Sequence, residues 1–225
     1  MNTFHTAKTR IYEQFARIGK ALAAPARLEL LDLLMQGERS VEALAGHAHL
    51  SIANASQHLH VLLAARLVET RKVAQRVYYR LAAPSVVDLW LALRATAEAQ
   101  LAELPAVVHD YLGEPGQFEA IGRDELARRL DAGTVVLIDV RPKEEFDQGH
   151  IVGAVSVPLN EVKAWARDAA PRRKPIVAYC RGPYCVYAID AVSELTKHGL
   201  RAMRLEDGPV EWRAAGYPIE RGGAA

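Results

Sequence analysis

Apolar residues recur at helical spacing from Ile11 to Leu34, and the repeat breaks at Ala24-Pro25, where proline's fixed φ suits the first turn of a new helix. The pattern predicts two helices. The first carries Ile11, Phe15, Ile18 and Leu22, and the second carries Leu28, Leu31 and Leu34 and is ended by Gly37. Ser40 is an N-cap for a short third helix at Val41-Glu42-Ala43-Leu44-Ala45, and Ser51 opens a fourth. In the fourth, Ile52, Ala55, Leu59 and Leu62 share one face, while Asn54, Ser56, Gln57 and His58 fall largely on the others, leaving a small, polar outer surface. The period then changes. Residues 67–72 and 75–81 are β-branched, aromatic and partly alternating, with a short connection at Val73-Ala74, which predicts a basic β-hairpin. Pro84 restarts helical spacing through Val87, Leu91, Leu93 and Leu101 as far as Pro105.

Glycine and proline cluster at Gly113-Glu114-Pro115-Gly116, as in a linker. Beyond it, Arg123 to Leu130 reads as a helix, and Thr134-Val135-Val136-Leu137-Ile138-Asp139-Val140 is a continuous apolar run of strand length, as expected of a strand buried on both faces. Pro175-Ile176-Val177-Ala178-Tyr179 is a second such run, followed by helical spacing from Val186 to His198, closed by Gly199. Strands alternating with helices indicate an α/β fold with a mainly parallel sheet. The chain is therefore expected to form two domains, a mainly α one over residues 1–105 and an α/β one over residues 118–225, joined by a linker at 106–117.

Half of the 225 residues are hydrophobic, enough to bury two cores and to exclude a disordered chain. The net charge of +1 hides a small asymmetry: residues 1–104 carry 12 Lys/Arg against 9 Asp/Glu, and residues 105–225 carry 16 against 18, which points weakly to a polyanion partner for the first half. No apolar run approaches the roughly 18 residues of a membrane span, and the start MNTFHTAKTR lacks the apolar core of a signal peptide. A cytoplasmic protein with no membrane partner is expected. Both cysteines, Cys180 and Cys185, lie in the second domain. They are too close and too few for a secreted disulfide scaffold, so a chemical role is the first expectation.

Three helices, a polar-faced fourth, a basic hairpin and a closing helix are the parts of a winged helix-turn-helix. The segments Leu22-Ala23-Ala24-Pro25-Ala26-Arg27-Leu28-Glu29-Leu30-Leu31 and Leu50-Ser51-Ile52-Ala53-Asn54-Ala55-Ser56-Gln57-His58-Leu59 resemble the best-marked stretches of ArsR-type repressors, over roughly residues 10–100. The resemblance makes the second segment the recognition helix, and the physics agrees, because short hydroxyl and amide side chains let a helix sit deep in the major groove. Ser51, Asn54, Ser56, Gln57, His58 and His60 are the candidate contacts to double-stranded DNA, with Arg71, Lys72 and Arg76 of the hairpin meeting phosphates. Alone, a polar helix face or a basic hairpin is ordinary solvated surface; their order together with the two segments carries the reading. The resemblance further implies a homodimer through the first and last helices, with apolar surfaces around Phe15, Leu89, Trp90 and Leu93. Such a dimer reads a palindromic operator with half-sites about one helical turn apart. Many members of that family sense metals through cysteines in the third or closing helix, but residues 1–105 contain none. His47, His49, His58 and His60 lie in pairs spaced by two, which points the rings to different faces, so no metal site is expected.

In the second domain Ile138-Asp139-Val140-Arg141, Glu145-Phe146, Gly149-His150-Ile151, Gly153-Ala154 and Val157-Pro158 resemble the opening half of a rhodanese module. Tyr179-Cys180-Arg181-Gly182 and Leu205-Glu206-Asp207-Gly208, with Trp212, Ala215-Gly216 and Pro218-Ile219, are similar to its closing half, over about residues 118–221. A cysteine at a strand end, in a loop leading into a helix, faces backbone N–H groups and the positive end of the helix dipole, which favour the thiolate. Gly182, Tyr184 and Val186 are the candidate anion-binding positions of that loop.

The resemblance implies that Cys180 attacks the outer sulfur of a small anionic donor, holds it as a persulfide and passes it to a thiol or other nucleophile, with Arg181 adding positive charge near the donor. Asp139, Arg141 and Glu145 read mainly as structural, and no cofactor is called for. The usual loop runs Cys-Arg-x-Gly-x-Arg, whereas here glycine comes early and Cys185 stands where arginine is usual, so thiosulfate is not assured as the donor. Phosphatase-type loops place an arginine where Val186 stands, which disfavours a phosphatase or arsenate reductase. Cys185 is either a resolving thiol that attacks the Cys180 persulfide or a small buried hydrophobe near the helix start. Two functions follow: a repressor whose rhodanese-like domain detects reactive sulfur at Cys180, or a sulfurtransferase that DNA binding localises or autoregulates.

Overall fold

The computed structural model describes residues 2–113, 118–169 and 174–222, and the chain divides into two compact units, Met1–Thr96 and Ala97–Ala225. In the first, α1 (Asn2–Leu22) and α2 (Pro25–Met35) meet at Ala24-Pro25, with Pro25 in the first turn of α2. After β1 (Arg39–Ser40), α3 (Val41–His47) is capped by the Ser40 hydroxyl, which accepts from the Ala43 N–H at 3.3 Å. In the same way the Ser51 hydroxyl accepts from the Asn54 N–H at 3.2 Å and starts α4 (Ile52–Ala64). Each cap satisfies a backbone donor that a helix start leaves without an intrahelical partner.

The hairpin is β2 (Val68–Val73) with β3 (Arg76–Leu81), and Val73 pairs with Arg76. Its turn is therefore Ala74-Gln75, one position beyond the expected Val73-Ala74. Ala74 takes a left-handed φ of 52°, a conformation usually signalled by glycine or asparagine and so hidden in this sequence. β1 adds to the free edge of β3, an unexpected third strand whose two residues are too few to show a period. α5 (Pro84–Gln100) and α6 (Leu104–Leu112) follow. Most of the stretch expected as a linker at 106–117 is thus helical, with Pro105 in the first turn of α6; Glu114 to Gly116 lie outside the described residues.

The first core gathers Leu30, Leu31 and Leu34 of α2, Leu44 of α3, Leu59 and Leu62 of α4 and Tyr79 of β3. Trp90, expected on a dimer surface, packs against this core instead, and its indole N–H donates to the Leu28 carbonyl at 3.2 Å. Ile52, expected on the buried face of α4, is 54% exposed. Angular position does not bury a residue at a helix's first turn, where half of its neighbours along the helix are missing.

The second unit contains β4 (Ala120–Ile121), α7 (Arg123–Asp131), β5 (Val136–Asp139), α8 (Lys143–Gln148), β6 (His150–Ile151), β7 (Val155–Ser156) and α9 (Val162–Ala169). It continues through β8 (Ile176–Tyr179), α10 (Tyr187–Lys197), β9 (Ala202–Leu205), α11 (Pro209–Ala214) and β10 (Ile219–Glu220). Five strands in the order β4-β9-β8-β5-β7 form a sheet whose pairs are all parallel, while β6 and β10 make a separate antiparallel pair. Alternate residues of β5 and β8 feed opposite faces, as strand geometry requires. Ile138, Ile176, Ala178 and Cys180 pack with α9 and α10, and Leu137, Val177 and Tyr179 pack with Leu126 of α7 and Trp212 of α11. This two-sided burial is what the continuous apolar runs predicted. Among the described residues no helix is long and apolar enough to cross a membrane.

Leu59 and Ile52 test this partition of α4. Leu59→Ala is expected to lower unfolding stability by about 2–5 kcal/mol, and Ile52→Ala by less than about 0.5 kcal/mol, both read from urea denaturation. Equal losses would contradict it.

Candidate functional site

The N-terminal unit presents α4 and the hairpin. Asn54, Gln57 and His60 are exposed on α4, whereas Ser56 and His58 are half-buried, and Ser51 has its hydroxyl engaged as the cap. On the hairpin, Lys72 and Arg76 are exposed next to the turn. Arg71 is exposed as well, but its guanidinium is paired with Glu38, Nε to Oε2 at 3.2 Å, and lies 5.8 Å from the centre of the Tyr78 ring. The hydrogen bond from Arg71 holds the Glu38 carboxyl below its usual range, and the same bond raises the Arg71 guanidinium. The three expected phosphate contacts therefore separate into two exposed cations and one that already carries a carboxylate. Among the described residues no cluster of three or more His, Cys, Asp or Glu side chains is arranged to hold a metal ion.

The second unit builds its site at the carboxyl ends of three neighbouring strands, where ligands of open parallel sheets gather. Cys180 follows β8, is 2% exposed, and is joined to Cys185 by a disulfide with the Cα atoms 6.2 Å apart. The intervening chain is a turn with Pro183 and Tyr184 at its middle positions, closed by the Cys185 N–H donating to the Gly182 carbonyl at 3.2 Å. α10 begins two residues after Cys185, with Val186 as its N-cap residue. Cys185 is thus at once partly buried against the core around Ala188 and bonded to the other thiol position.

Arg181, expected to lend charge to a donor, directs its guanidinium to Glu145 of α8. The contacts are Nε to Oε1 and Oε2 at 3.1 and 3.0 Å and Nη2 to Oε1 at 2.6 Å, with the Glu145 side chain fully buried. The Tyr187 ring, at the start of α10, has this guanidinium 5.4 Å from its centre. Arg181 therefore ties the loop to the helix after β5.

Asp139 and Arg141 form a second buried pair. The Arg141 Nε donates to Asp139 at 3.0 Å, Nη2 bonds the Asp139 carboxylate at 2.5 Å and also reaches the Gly149 carbonyl at 2.8 Å. Burial lowers the Arg141 pKa, but the hydrogen bonds and charge of Asp139 outweigh it, so the net direction is upward. Tyr179, whose hydroxyl accepts from the Ile151 N–H at 3.1 Å, is pushed well above its usual value, chiefly by burial and then by the Asp139 charge.

Two loop supports escaped the sequence reading. A Cβ on Gly208 would lie 2.1 Å from the Arg181 carbonyl oxygen, so only glycine lets the chain after β9 approach the loop backbone. Glu211, 6% exposed, accepts from the Gly208 N–H at 3.0 Å, and its carboxylate oxygens lie 3.3 and 3.4 Å from where a Cβ on Gly182 would stand. Gly208 was visible only as part of a motif; its contact across the sheet has no local signature.

A winged helix-turn-helix followed by a parallel α/β unit with a thiol loop at its strand ends is a DNA-binding regulator joined to a rhodanese-like domain. Residues 24–70 match the bacterial regulatory protein, arsR family, and residues 122–215 match the rhodanese-like domain. The chain is 45% identical over 215 residues to the HTH-type transcriptional regulator Rv0324 of Mycobacterium tuberculosis, covering 96% of this chain and 94% of that one. It belongs to the ArsR-type transcriptional regulators that carry a C-terminal rhodanese-like domain. A sulfurtransferase of Allochromatium vinosum is 31% identical over 101 residues, covering 44% of this chain and 92% of that protein. A homodimeric winged helix-turn-helix DNA-binding domain, Mb0332 of Mycobacterium bovis, is 42% identical with a TM-score of 0.41, covering 43% of this chain and 89% of that one.

Gly208→Ala should displace the Arg181-Gly182 peptide. The expected result is a stability loss of about 1–3 kcal/mol together with slower alkylation of reduced Cys180 or a changed pH profile of that reaction. A variant with wild-type stability and thiol reactivity would contradict the contact.

Proposed function

We propose that this regulator is a repressor that binds a palindromic operator as a homodimer, and that acceptance of sulfur by Cys180, as a persulfide, triggers release of the DNA. The single observation that carries this reading is the pairing, in one chain, of an exposed capped helix beside a basic hairpin with a cysteine set at the end of a central parallel strand. Asn54 and Gln57 are the base-reading candidates on the outer face of α4, and His60 extends the same exposed surface. Lys72 and Arg76 supply phosphate contacts, which give affinity and salt dependence rather than sequence discrimination.

Ile11, Tyr12 and Phe15 of α1 are each more than half exposed, and Leu89 and Leu93 of α5 are exposed too. Apolar faces of this kind on the first and closing helices are the surface through which a second copy pairs, placing two recognition helices on two half-sites. The identity to a sulfurtransferase over 92% of its length favours a second reading, in which Cys180 turns over sulfur and DNA binding localises or autoregulates the enzyme. Steady-state formation of thiocyanate from cyanide and an added sulfane-sulfur donor, abolished in Cys180→Ser with promoter affinity intact, is its signature.

The DNA reading is tested by fluorescence anisotropy on DNA from the protein's own promoter across a salt series. Gln57→Ala should weaken operator binding by about 1–3 kcal/mol with little effect on unrelated DNA. Lys72→Ala and Arg76→Ala should weaken both and flatten the log–log salt slope by about one unit each. Loss of the slope with no difference between operator and unrelated DNA in the wild type would overturn the assignment of α4 as the reading helix.

A further inference from the structure

We propose that the Cys180–Cys185 pair has a second activity, the reduction of low-molecular-weight hydropersulfides to thiol and sulfide, which leaves the loop as a disulfide. This rests on the reading of Cys180 as the sulfur acceptor and adds to it the donor class and the fate of the persulfide.

The first ground is placement. A persulfide on Cys180 has two sulfurs, and a second thiol resolves it only by reaching the inner one. Cys185 is bonded to that atom, and the 6.2 Å between the Cα atoms lies within the ordinary span of a disulfide. The turn closed by the Cys185 N–H on the Gly182 carbonyl is what folds the chain back over so short a separation.

The second ground is the charge around the loop. A dianionic donor such as thiosulfate needs several hydrogen-bond donors and net positive charge. Here Pro183 has no N–H, and the Cys185 N–H is engaged by Gly182. The Arg181 guanidinium bridges to the buried Glu145 carboxylate, and the Glu211 carboxylate lies against Gly182. Among the described residues, the Glu145 and Glu211 carboxylates lie at the loop, and its Arg181 guanidinium is shared with Glu145. A hydropersulfide, whose outer sulfur can be delivered as neutral SH, meets no such penalty.

The chemistry balances with the donor as oxidant. The Cys180 thiolate attacks the outer sulfur of RS–SH, the S–S bond of the donor breaks, and RS⁻ leaves and takes up a proton, giving RSH and the Cys180 persulfide. The Cys185 thiolate then attacks the Cys180 sulfur, forming the protein disulfide and expelling HS⁻, which is protonated to H₂S. The sum is RSSH plus two protein thiols giving RSH, H₂S and the disulfide; the sulfane sulfur is reduced and the two thiols are oxidised. A small thiol then reopens the loop by exchange.

The test mixes fully reduced, full-length protein with glutathione hydropersulfide or with thiosulfate and reads trapped sulfide and intact protein mass together, with Cys180→Ser as the background for spontaneous sulfide. The wild type is expected to release one sulfide per chain above that background and to lose two hydrogens. Cys185→Ser should instead gain one sulfur and release none. Thiosulfate should load Cys185→Ser at least about tenfold more slowly than the hydropersulfide. If Cys185→Ser is loaded but the wild type also keeps the added sulfur and forms no disulfide, resolution by Cys185 is overturned while the acceptor reading of Cys180 stands. If neither donor loads Cys185→Ser, the acceptor reading itself fails. Equal loading by thiosulfate overturns the donor class.

Discussion

The buried ion pair between Arg181 and Glu145 joins the ends of two neighbouring parallel strands, and the shape of the thiol loop follows from it. Glu145 sits on the helix after β5 and Arg181 one residue beyond Cys180 after β8, while the β5–β8 register sets Asp139 opposite Tyr179. Two charges withdrawn from water hold together only when their geometry and remaining hydrogen bonds are good, and removing one member of such a pair is strongly destabilising. The three contacts of Arg181 with one carboxylate meet that requirement. Gly208 then supports the same peptide from the β9 side. Held from two strand ends, the Cys180–Cys185 loop has a fixed base, and the guanidinium that follows Cys180 is engaged by Glu145.

Legibility in the sequence followed the range of the interaction. The capping serines, the proline that starts α2 and the two apolar strand runs are local signals, and the elements they announced are present. Two-residue strands such as β1, β6 and β10 have no period to read and depend on partners far along the chain. α6 was hidden by reading the neighbouring glycines and proline as one connecting stretch. Cys180 was evident as a thiol at a strand end, whereas the contact of Arg181 with Glu145 has no local signature, because Glu145 lies 36 residues earlier. Trp90 and Ile52 show the same limit from the other side. Hydrophobicity announces a need for cover, but only tertiary packing decides whether the chain's own core supplies it.

A sulfur-responsive regulator requires that its chemical states differ in DNA affinity, since a modification with equal effect on bound and free protein shifts nothing. A hundredfold loss of affinity corresponds to about 2.7 kcal/mol. On the proposed function, the reduced and disulfide forms of the Cys180 loop, which differ in a covalent bond, are the two chemical states whose DNA affinities must differ.

The most direct measurement follows the promoter complex by fluorescence anisotropy while glutathione hydropersulfide is added, with the Cys180 modification state read by mass in the same samples. The account predicts DNA release that rises in step with modification in the wild type and is absent in Cys180→Ser, with recovery on reduction. Undiminished DNA binding by fully modified wild-type protein would contradict it.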